Sequence, residues 1–254
     1  MSAPAAPVAD ENLFENAIEV FARGFAFTRS FTHPYEARRV EGMWALRDGP
    51  RKSGAMRSEE WIARGMEAGR IDAIARAQAR GKFAVCVLVA NGEDDREMRA
   101  AFKGLGYRLG TTEAFMVHSL KKIAAFESPA EIELVETQAT ADQLAKTARS
   151  RQILPQYLQN DGVMRQYVAR LDGEIVGWVR SIVVGDATWC SNMFVVERQR
   201  RRGIGRALLS RMLRDDKRSG AKRAVLLASH TGAKLYPVVG YERIGMLYLF
   251  MPRK

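Results

Sequence analysis

The sequence predicts an α/β protein built on a mixed sheet. Short apolar runs typical of buried strands alternate along the chain with segments whose apolar residues recur at helical spacing. Phe83 to Ala90 is a continuous apolar run with the length of a central strand, and Asp172-Gly173 between two β-branched runs is a hairpin signal. At Met193 to Leu209 a short apolar run passes directly into a helical pattern across two glycines and a block of arginines. This last stretch predicts a ligand site.

The first half predicts helices and strands in alternation. Phe14, Ile18 and Phe21 fall on one face of the first helix, Ser58-Glu59-Glu60 is typical of a helix start, and Gly81 is typical of a helix end. In chain order the predicted elements are a helix at Leu13–Phe27, a strand at Arg38–Leu46, a helix from Ser58 to Ala79 in which a break near Gly65 or Gly69 stays open, a strand at Phe83–Ala90, a helix at Asp94–Phe102 and a strand at Ala114–Leu120.

A linker at Lys121–Ala130, punctuated by Ser128-Pro129, precedes a second set of elements. These are a strand at Ile132–Val135, a helix from Thr140 to Ala148, a three-strand meander (Tyr167–Leu171, Ile175–Val184, Thr188–Val196), a helix from Gly203 to Ser219, a strand at Ala224–Ala228, a short helix at Thr231–Tyr236 and a strand at Met246–Met251. The predicted organisation is a disordered tail over 1–10, one domain over 11–125 and a second over 131–254.

Composition narrows the class of protein. No apolar run reaches the roughly 18 residues of a membrane helix, and Met1–Asp10 lacks the basic flank and apolar core of a signal peptide. Cys86 and Cys190 each lie inside an apolar run, which argues against a disulfide framework or a zinc site. We therefore expect a soluble protein of the reducing cytoplasm, without membrane partners and without a metal.

The formal net charge of +11 raises the question of a nucleic-acid partner. Arginines are spread through the chain, and the dense block at 200–202 sits on a glycine turn suited to a compact phosphate. Gly203 and Gly205 allow phosphate oxygens to approach the N–H groups of a helix N-terminus without an intervening Cβ. A dinucleotide fingerprint fails because position 208 is Leu, and no Gly-Lys-Ser/Thr of a P-loop occurs. Nucleic-acid binding is the less favoured interpretation.

An internal repeat relates the two halves. The matching pairs are Lys82-Phe83-Ala84-Val85 with Lys222-Arg223-Ala224-Val225, Phe102 with Tyr236, Gly106-Tyr107 with Gly240-Tyr241, and Phe115-Met116 with Phe250-Met251. The part of the first half that corresponds to the glycine turn, around 59–66, has neither paired glycines nor an arginine block. The repeat predicts two copies of one fold, of which only the second keeps the polar chemistry.

The order strand, Arg200-Arg201-Arg202-Gly203-Ile204-Gly205, helix, strand, Leu235-Tyr236 and Gly240-Tyr241 resembles the acyl-CoA-binding core of the GCN5-related N-acetyltransferases (GNAT). The resemblance covers about Ile132 to Met251. It implies the GNAT fold, in two tandem copies with a degenerate first copy. It also implies that acetyl-CoA is the co-substrate and that a primary amine attacks it directly in a ternary complex.

The resemblance also implies roles for particular residues. Tyr236 is the expected general acid, because a phenol of pKa near 10 can return a proton to a departing thiolate of pKa about 8.5. The strand before the turn is expected to splay from its neighbour and bind the pantetheine arm through its backbone. The expected contacts to CoA are Phe194, Val195, Val196, Arg200, Arg201, Arg202, Gly203, Ile204, Gly205, Arg206 and His230.

Several points stay open. Trp189 to Met193 carries no carboxylate, so no general base is assigned, and His230 could be a ligand contact, a base or structural. Arg201 stands where the family commonly has Gly, and Cys190 is interpreted as a small core residue.

The acceptor is expected to be a small-molecule or peptide amine, but the sequence carries no pattern that specifies which one. Whether the protein forms a homodimer also stays open. The alternative functions are a CoA-binding or regulatory module without catalysis and, less favoured, a nucleic-acid-binding protein.

Overall fold

The computed structural model describes residues 11–52, 54–158 and 162–253; the predicted tail at 1–10 lies outside them. It has the predicted α/β architecture with a mixed sheet. The helices are α1 (Glu11–Arg29), α2 (Ala68–Gln78), α3 (Arg96–Gly104), α4 (Gln138–Ala148) and α5 (Ile204–Arg218). The strands are β1 (Tyr35–Val40), β2 (Met43–Asp48), β3 (Glu59–Ala63), β4 (Phe83–Ala90), β5 (Tyr107–His118), β6 (Glu131–Leu134), β7 (Met164–Leu171), β8 (Glu174–Val184), β9 (Ala187–Val195), β10 (Arg223–Ala228) and β11 (Glu242–Pro252). None of the described helices has the length and apolar character of a membrane span.

The chain forms two compact units that interleave along the sequence. The described part of the first unit comprises 11–116, 227–230 and 243–253, and the second comprises 117–226 and 231–242. This division differs from the predicted domains in three places, one of which is the segment 227–230 at the end of β10, which belongs to the first unit. The predicted linker belongs to the second unit, and most of β11 belongs to the first.

In the first unit the strands lie in the order β1-β2-β3-β4-β11-β5. β3 and β4 are parallel and are joined by α2, whereas β11 pairs antiparallel with β4 from Gly245 to Phe250. Trp61, Phe102, Tyr107 and Phe250 are buried together in one core cluster. The final strand therefore completes the sheet of the first unit instead of closing the second.

Two predicted elements of the first half are wrong. The helix from Ser58 to Ala79 is instead β3 followed by α2, because Trp61 and Ile62 are buried in the sheet. The single strand at Arg38–Leu46 is instead the hairpin β1–β2. At β3 burial of apolar side chains in the sheet overrides a local helix signal, whereas the hairpin forms at a local turn, Glu41-Gly42, where both residues have positive φ.

In the second unit the strands lie in the order β10-β9-β8-β7-β6, and α5 connects the parallel strands β9 and β10. The β7–β8 hairpin turns at Asp172-Gly173, where both residues have positive φ, 51° and 79°, as the sequence predicts. Asp216 anchors α5 to the sheet. Its fully buried carboxylate accepts from Arg165 Nη2 at 2.7 Å and from Ser181 Oγ at 2.7 Å.

Candidate functional site

The predicted ligand turn lies between β9 and α5. After Val195 the chain makes a 3₁₀ turn at Glu197–Gln199 and reaches Gly203, the N-cap of α5, with φ 85° and ψ −16°. No side chain caps the helix at this end. The first N–H groups of an α-helix have no partner within the helix, so this N-terminus can donate hydrogen bonds to a bound anion.

Packing explains both glycines of the turn. A Cβ on Gly203 would lie 3.0 Å from the Glu127 carbonyl oxygen, in addition to the strain of its left-handed φ. A Cβ on Gly205 would lie 3.1 Å from Met193 Cε and 3.2 Å from Leu235 Cδ2. The structure therefore requires glycine at 203 for conformation and at 205 for close packing of α5 against β9 and the segment after β10.

Arg201 has φ 63°, in the left-handed region. For a residue with a Cβ this conformation costs roughly 1–2 kcal/mol relative to the right-handed one. A glycine there would avoid the cost, which gives a physical reason for the family's preference. Arg201 therefore adds a positive charge to the turn at the expense of backbone strain.

The neighbouring arginine side chains are exposed and contact the turn itself. Arg200 Nε donates to the Val195 carbonyl at 3.0 Å, and its guanidinium lies 5.6 Å from the Phe194 ring centroid. Arg202 donates to Gln199 Oε1. Arg206 lies 5.3 Å from the ring of Phe126, a residue of the predicted linker. These contacts hold positive charge around the start of α5.

β9 separates from β10 beyond the first part of their pairing. Their parallel register runs over three pairs and ends at Trp189–Val225, whereas β9 stays paired with β8 as far as Val195. Val196 N–H donates to the Val176 carbonyl at 2.9 Å. Since backbone groups alternate in direction along a strand, those of Val195 point away from β8, towards the open side. Among Phe194, Val195 and Val196, this alternation favours Val195 for bonding an added strand.

Tyr236 is buried, 8% exposed, in the first position of a 3₁₀ turn at Tyr236–Val239. Pro237 is accommodated at the start of that turn, where its missing N–H is not needed. The Tyr236 ring packs edge-on against Tyr241, with ring centroids 5.7 Å apart, and its carbonyl accepts from Tyr241 N–H at 3.1 Å. Its ring position is thus fixed by the Gly240-Tyr241 turn.

The histidines differ in their surroundings. His118 is buried; its Nδ1 accepts from Leu120 N–H at 2.9 Å and its Nε2 donates to the Val239 carbonyl at 3.1 Å. Burial lowers the pKa of His118, so it acts as a neutral structural bridge to the Gly240 turn. His230 is exposed, lies just after β10 and belongs to the first unit.

Cys190 is free and buried on β9. Burial raises the pKa of the Cys190 thiol well above its usual range. A thiol that does not ionise is a poor nucleophile. Cys190 is therefore a core residue and is not suited to carry an acyl group.

A polar cluster that the sequence did not predict lies beside the β9 opening. Trp178 pairs with Phe194 and Arg180 with Ser191, so β9 bulges by one residue, and Asn192 there has φ 53°. Asn192 Nδ2 and Arg180 Nη2 both donate to Gln152 Oε1, the latter at 2.7 Å. The feature of the sequence that could have indicated this cluster is Arg180, a charged residue in the middle of a largely apolar strand.

The second unit is thus an α/β fold in which a helix that begins at glycine follows a strand that separates from its parallel neighbour. Residues 164–243 match the family model described as an acetyltransferase (GNAT) domain. The chain therefore carries a GNAT domain, which confirms the predicted resemblance over this part of its length. No similar sequence was found among curated proteins.

Solved structures share this fold across nearly the whole chain. A GCN5-related N-acetyltransferase from Kribbella flavida has a TM-score of 0.66 at 12% identity, covering 94% of this chain and 95% of that one. One from Sphaerobacter thermophilus has a TM-score of 0.56 at 20% identity, covering 82% and 76%. A GCN5-related N-acetyltransferase-like protein from Streptococcus suis has a TM-score of 0.57 at 11% identity, covering 95% and 99%. At 11–20% sequence identity, these similarities establish a shared fold and nothing about activity.

Proposed function

We propose that the second unit is an acetyl-CoA-dependent N-acetyltransferase that acts on a primary amine by direct attack in a ternary complex. The observation that carries the proposal is the opening of β9 from β10 directly before the uncapped N-terminus of α5. The opening offers the backbone of Val195 to an extended arm, and the helix start offers N–H groups to a pyrophosphate.

Acetyl-CoA would supply the acetyl thioester. The N–H groups of α5 and the exposed cations Arg200, Arg201, Arg202 and Arg206 would hold its phosphates by charge-assisted hydrogen bonds. Because Arg200 Nε already bonds the Val195 carbonyl, Arg200 must release that oxygen if the arm is to use it. Tyr236 is proposed to return the proton to the departing sulfur, and the first unit is proposed to be the degenerate copy.

The direct test compares Gly203→Glu with Gly220→Glu by calorimetric titration with acetyl-CoA. Both glycines have a left-handed φ, 85° and 88°, and they lie at opposite ends of α5. A Cβ at Gly220 meets nothing within 4 Å, so this variant controls for the left-handed φ and for the added charge. We expect Gly203→Glu to weaken binding about a hundredfold or more, because it repels phosphate at the turn, and Gly220→Glu to bind like the wild type.

Two results would overturn the assignment of the turn: no binding of acetyl-CoA by the wild-type protein, or equal affinity in Gly203→Glu and wild type. Melting curves of both variants establish that each is folded.

A CoA-binding module without transfer is the second candidate. The observation in its favour is that β9 carries no carboxylate to act as a base. Release of free thiol from acetyl-CoA, measured with polyamines, amino acids, aminoglycosides and peptide N-termini, separates the two. Release above the rate of hydrolysis with any acceptor supports the transferase, and binding without release supports the module.

A further inference from the structure

The first unit contains a cationic cavity of about 470 Å³ between α3, β5 and β11. Its volume lies within the range of small-molecule sites, roughly 300–1,000 Å³. Arg96, Arg99 and Lys103 line it from one face of α3, whereas Arg108 lies on β5 and Arg253 directly follows β11. Five positive side chains thus converge on one concavity.

Local carboxylates balance part of this charge. Arg96 Nη2 lies 2.6 Å from Asp94 Oδ2, and Arg99 Nη1 lies 3.5 Å from Asp95 Oδ2. Within residues 11–253 as described, Lys103, Arg108 and Arg253 form no ion pair. Arg108 Nη2 donates to Met251 Sδ at 3.8 Å. About three positive charges therefore remain at the rim for a ligand.

The floor of the cavity is rigid and apolar. Phe250 is stacked on Phe102, with centroids 4.4 Å apart, and Tyr107 packs edge-on against the same ring at 5.3 Å. The Tyr107 hydroxyl donates to Asp72 Oδ1 at 2.7 Å, which fixes its orientation. Leu109, 40% exposed, adds apolar surface at the side. Because Tyr107 and Phe250 are only 1% and 2% exposed, the apolar surface that a ligand can reach is that of Leu109 and Ala100, while the cationic rim suits phosphates.

We propose that this cavity binds a nucleoside di- or triphosphate, with the phosphates against Lys103, Arg108 and Arg253 and the base or sugar against this apolar surface. The compact shape distinguishes it from a surface for nucleic acid, where cations follow a backbone along an extended groove. The site lies within the first unit and uses none of the residues proposed to bind acetyl-CoA.

The test is calorimetric titration of the full chain with ATP in EDTA at low ionic strength. We expect binding that is weakened about tenfold or more in the double variant Lys103→Gln/Arg108→Gln, because two cations facing phosphate are lost. The matched control is Lys82→Gln/Arg70→Gln. It also removes one lysine and one arginine charge, but from exposed positions of the first unit outside the cavity, and it should bind ATP like the wild type.

ATP could also reach the glycine turn, so Gly203→Glu is titrated in parallel and should retain ATP binding. Conversely, Lys103→Gln/Arg108→Gln should retain acetyl-CoA binding, which separates this site from the proposed function. The proposal fails if wild-type protein does not bind ATP, if both double variants lose affinity equally, or if Gly203→Glu abolishes ATP binding. Tighter binding of a single-stranded oligonucleotide through Lys103 and Arg108 would also overturn it.

Discussion

The two strand–helix–strand crossovers, β3-α2-β4 and β9-α5-β10, share parallel pairing but differ where the helix begins. At α2 the Glu67 carboxylate accepts from the N–H groups of Gly69 at 2.8 Å and Arg70 at 2.9 Å. At α5 the N-cap is Gly203, which has no side chain to do this. The first helix start is thus occupied by a carboxylate of the chain itself, and the second is left for an external anion.

The strand pairs of the two crossovers also differ, and again only the second has groups left free for a ligand. All five residues of β3 pair with β4, from Glu59–Phe83 to Ala63–Val87, whereas β9 pairs with β10 over only three of its nine. The first crossover therefore has neither a free helix start nor an opening between its strands. This contrast supports our proposal that the first unit is a degenerate copy, since two separate features of a CoA site are missing from it.

Tyr236→Phe gives the second unit the residue that the predicted repeat matches to Tyr236 in the first unit, Phe102. If Tyr236 returns the proton to the leaving thiolate, turnover should fall by about 10²–10⁴ with little change in acetyl-CoA affinity. Steady-state thiol release and calorimetry measure the two quantities.

Tyr241→Phe is the control for Tyr236→Phe, because it removes a neighbouring buried hydroxyl that has no proposed role. Its turnover should stay near that of the wild type. Wild-type turnover in Tyr236→Phe would remove the proposed acid and leave Tyr236 as a packing residue like Phe102.

Arg201→Gly tests the strain in the second crossover. Relief of the left-handed φ of 63° should raise the free energy of unfolding by about 1 kcal/mol, part of the gain being offset by the greater freedom of glycine in the unfolded chain. Urea denaturation measures the change. Arg202→Gly, at a neighbouring position outside the left-handed region, should not stabilise the protein; equal effects in the two variants would argue against strain at 201.

Glu67→Gln tests the occupied helix start of the first crossover and has the smallest expected effect. The N–H bonds from Gly69 and Arg70 lower the pKa of Glu67, so its charge stabilises the folded state above the unfolded pKa and ceases to do so as pH falls through the folded pKa. The variant should melt about 1–3 °C lower at pH 7, and the difference should shrink as the pH falls below the unfolded pKa of about 4.3.

Glu131→Gln is the control for Glu67→Gln, since Glu131 lies exposed on a strand and away from any helix start. A melting difference in Glu67→Gln that does not depend on pH would show that the carboxylate charge has no role in capping α2.

Local signals identified much of the second unit. The Asp172-Gly173 hairpin and the start of α5 at Gly203 depend on φ values that a few residues dictate, and the structure has them as predicted. The same local logic failed at Glu59, where a residue typical of a helix start is a buried strand residue. Its carboxylate accepts from Arg80 N–H at 3.1 Å, a partner 21 positions away.

The sequence by itself determined the fold class, the family resemblance and the position of the glycine turn before α5, because these depend on periodicity, turn chemistry and a motif within a short stretch. Only the tertiary structure decided that β11 pairs with β4, that Gln152 reaches Asn192 at the β9 bulge, and that Arg108 and Arg253 share a cavity with α3. The physical reason is that strand pairing and side-chain convergence depend on contacts between residues far apart in the chain, which no local pattern specifies.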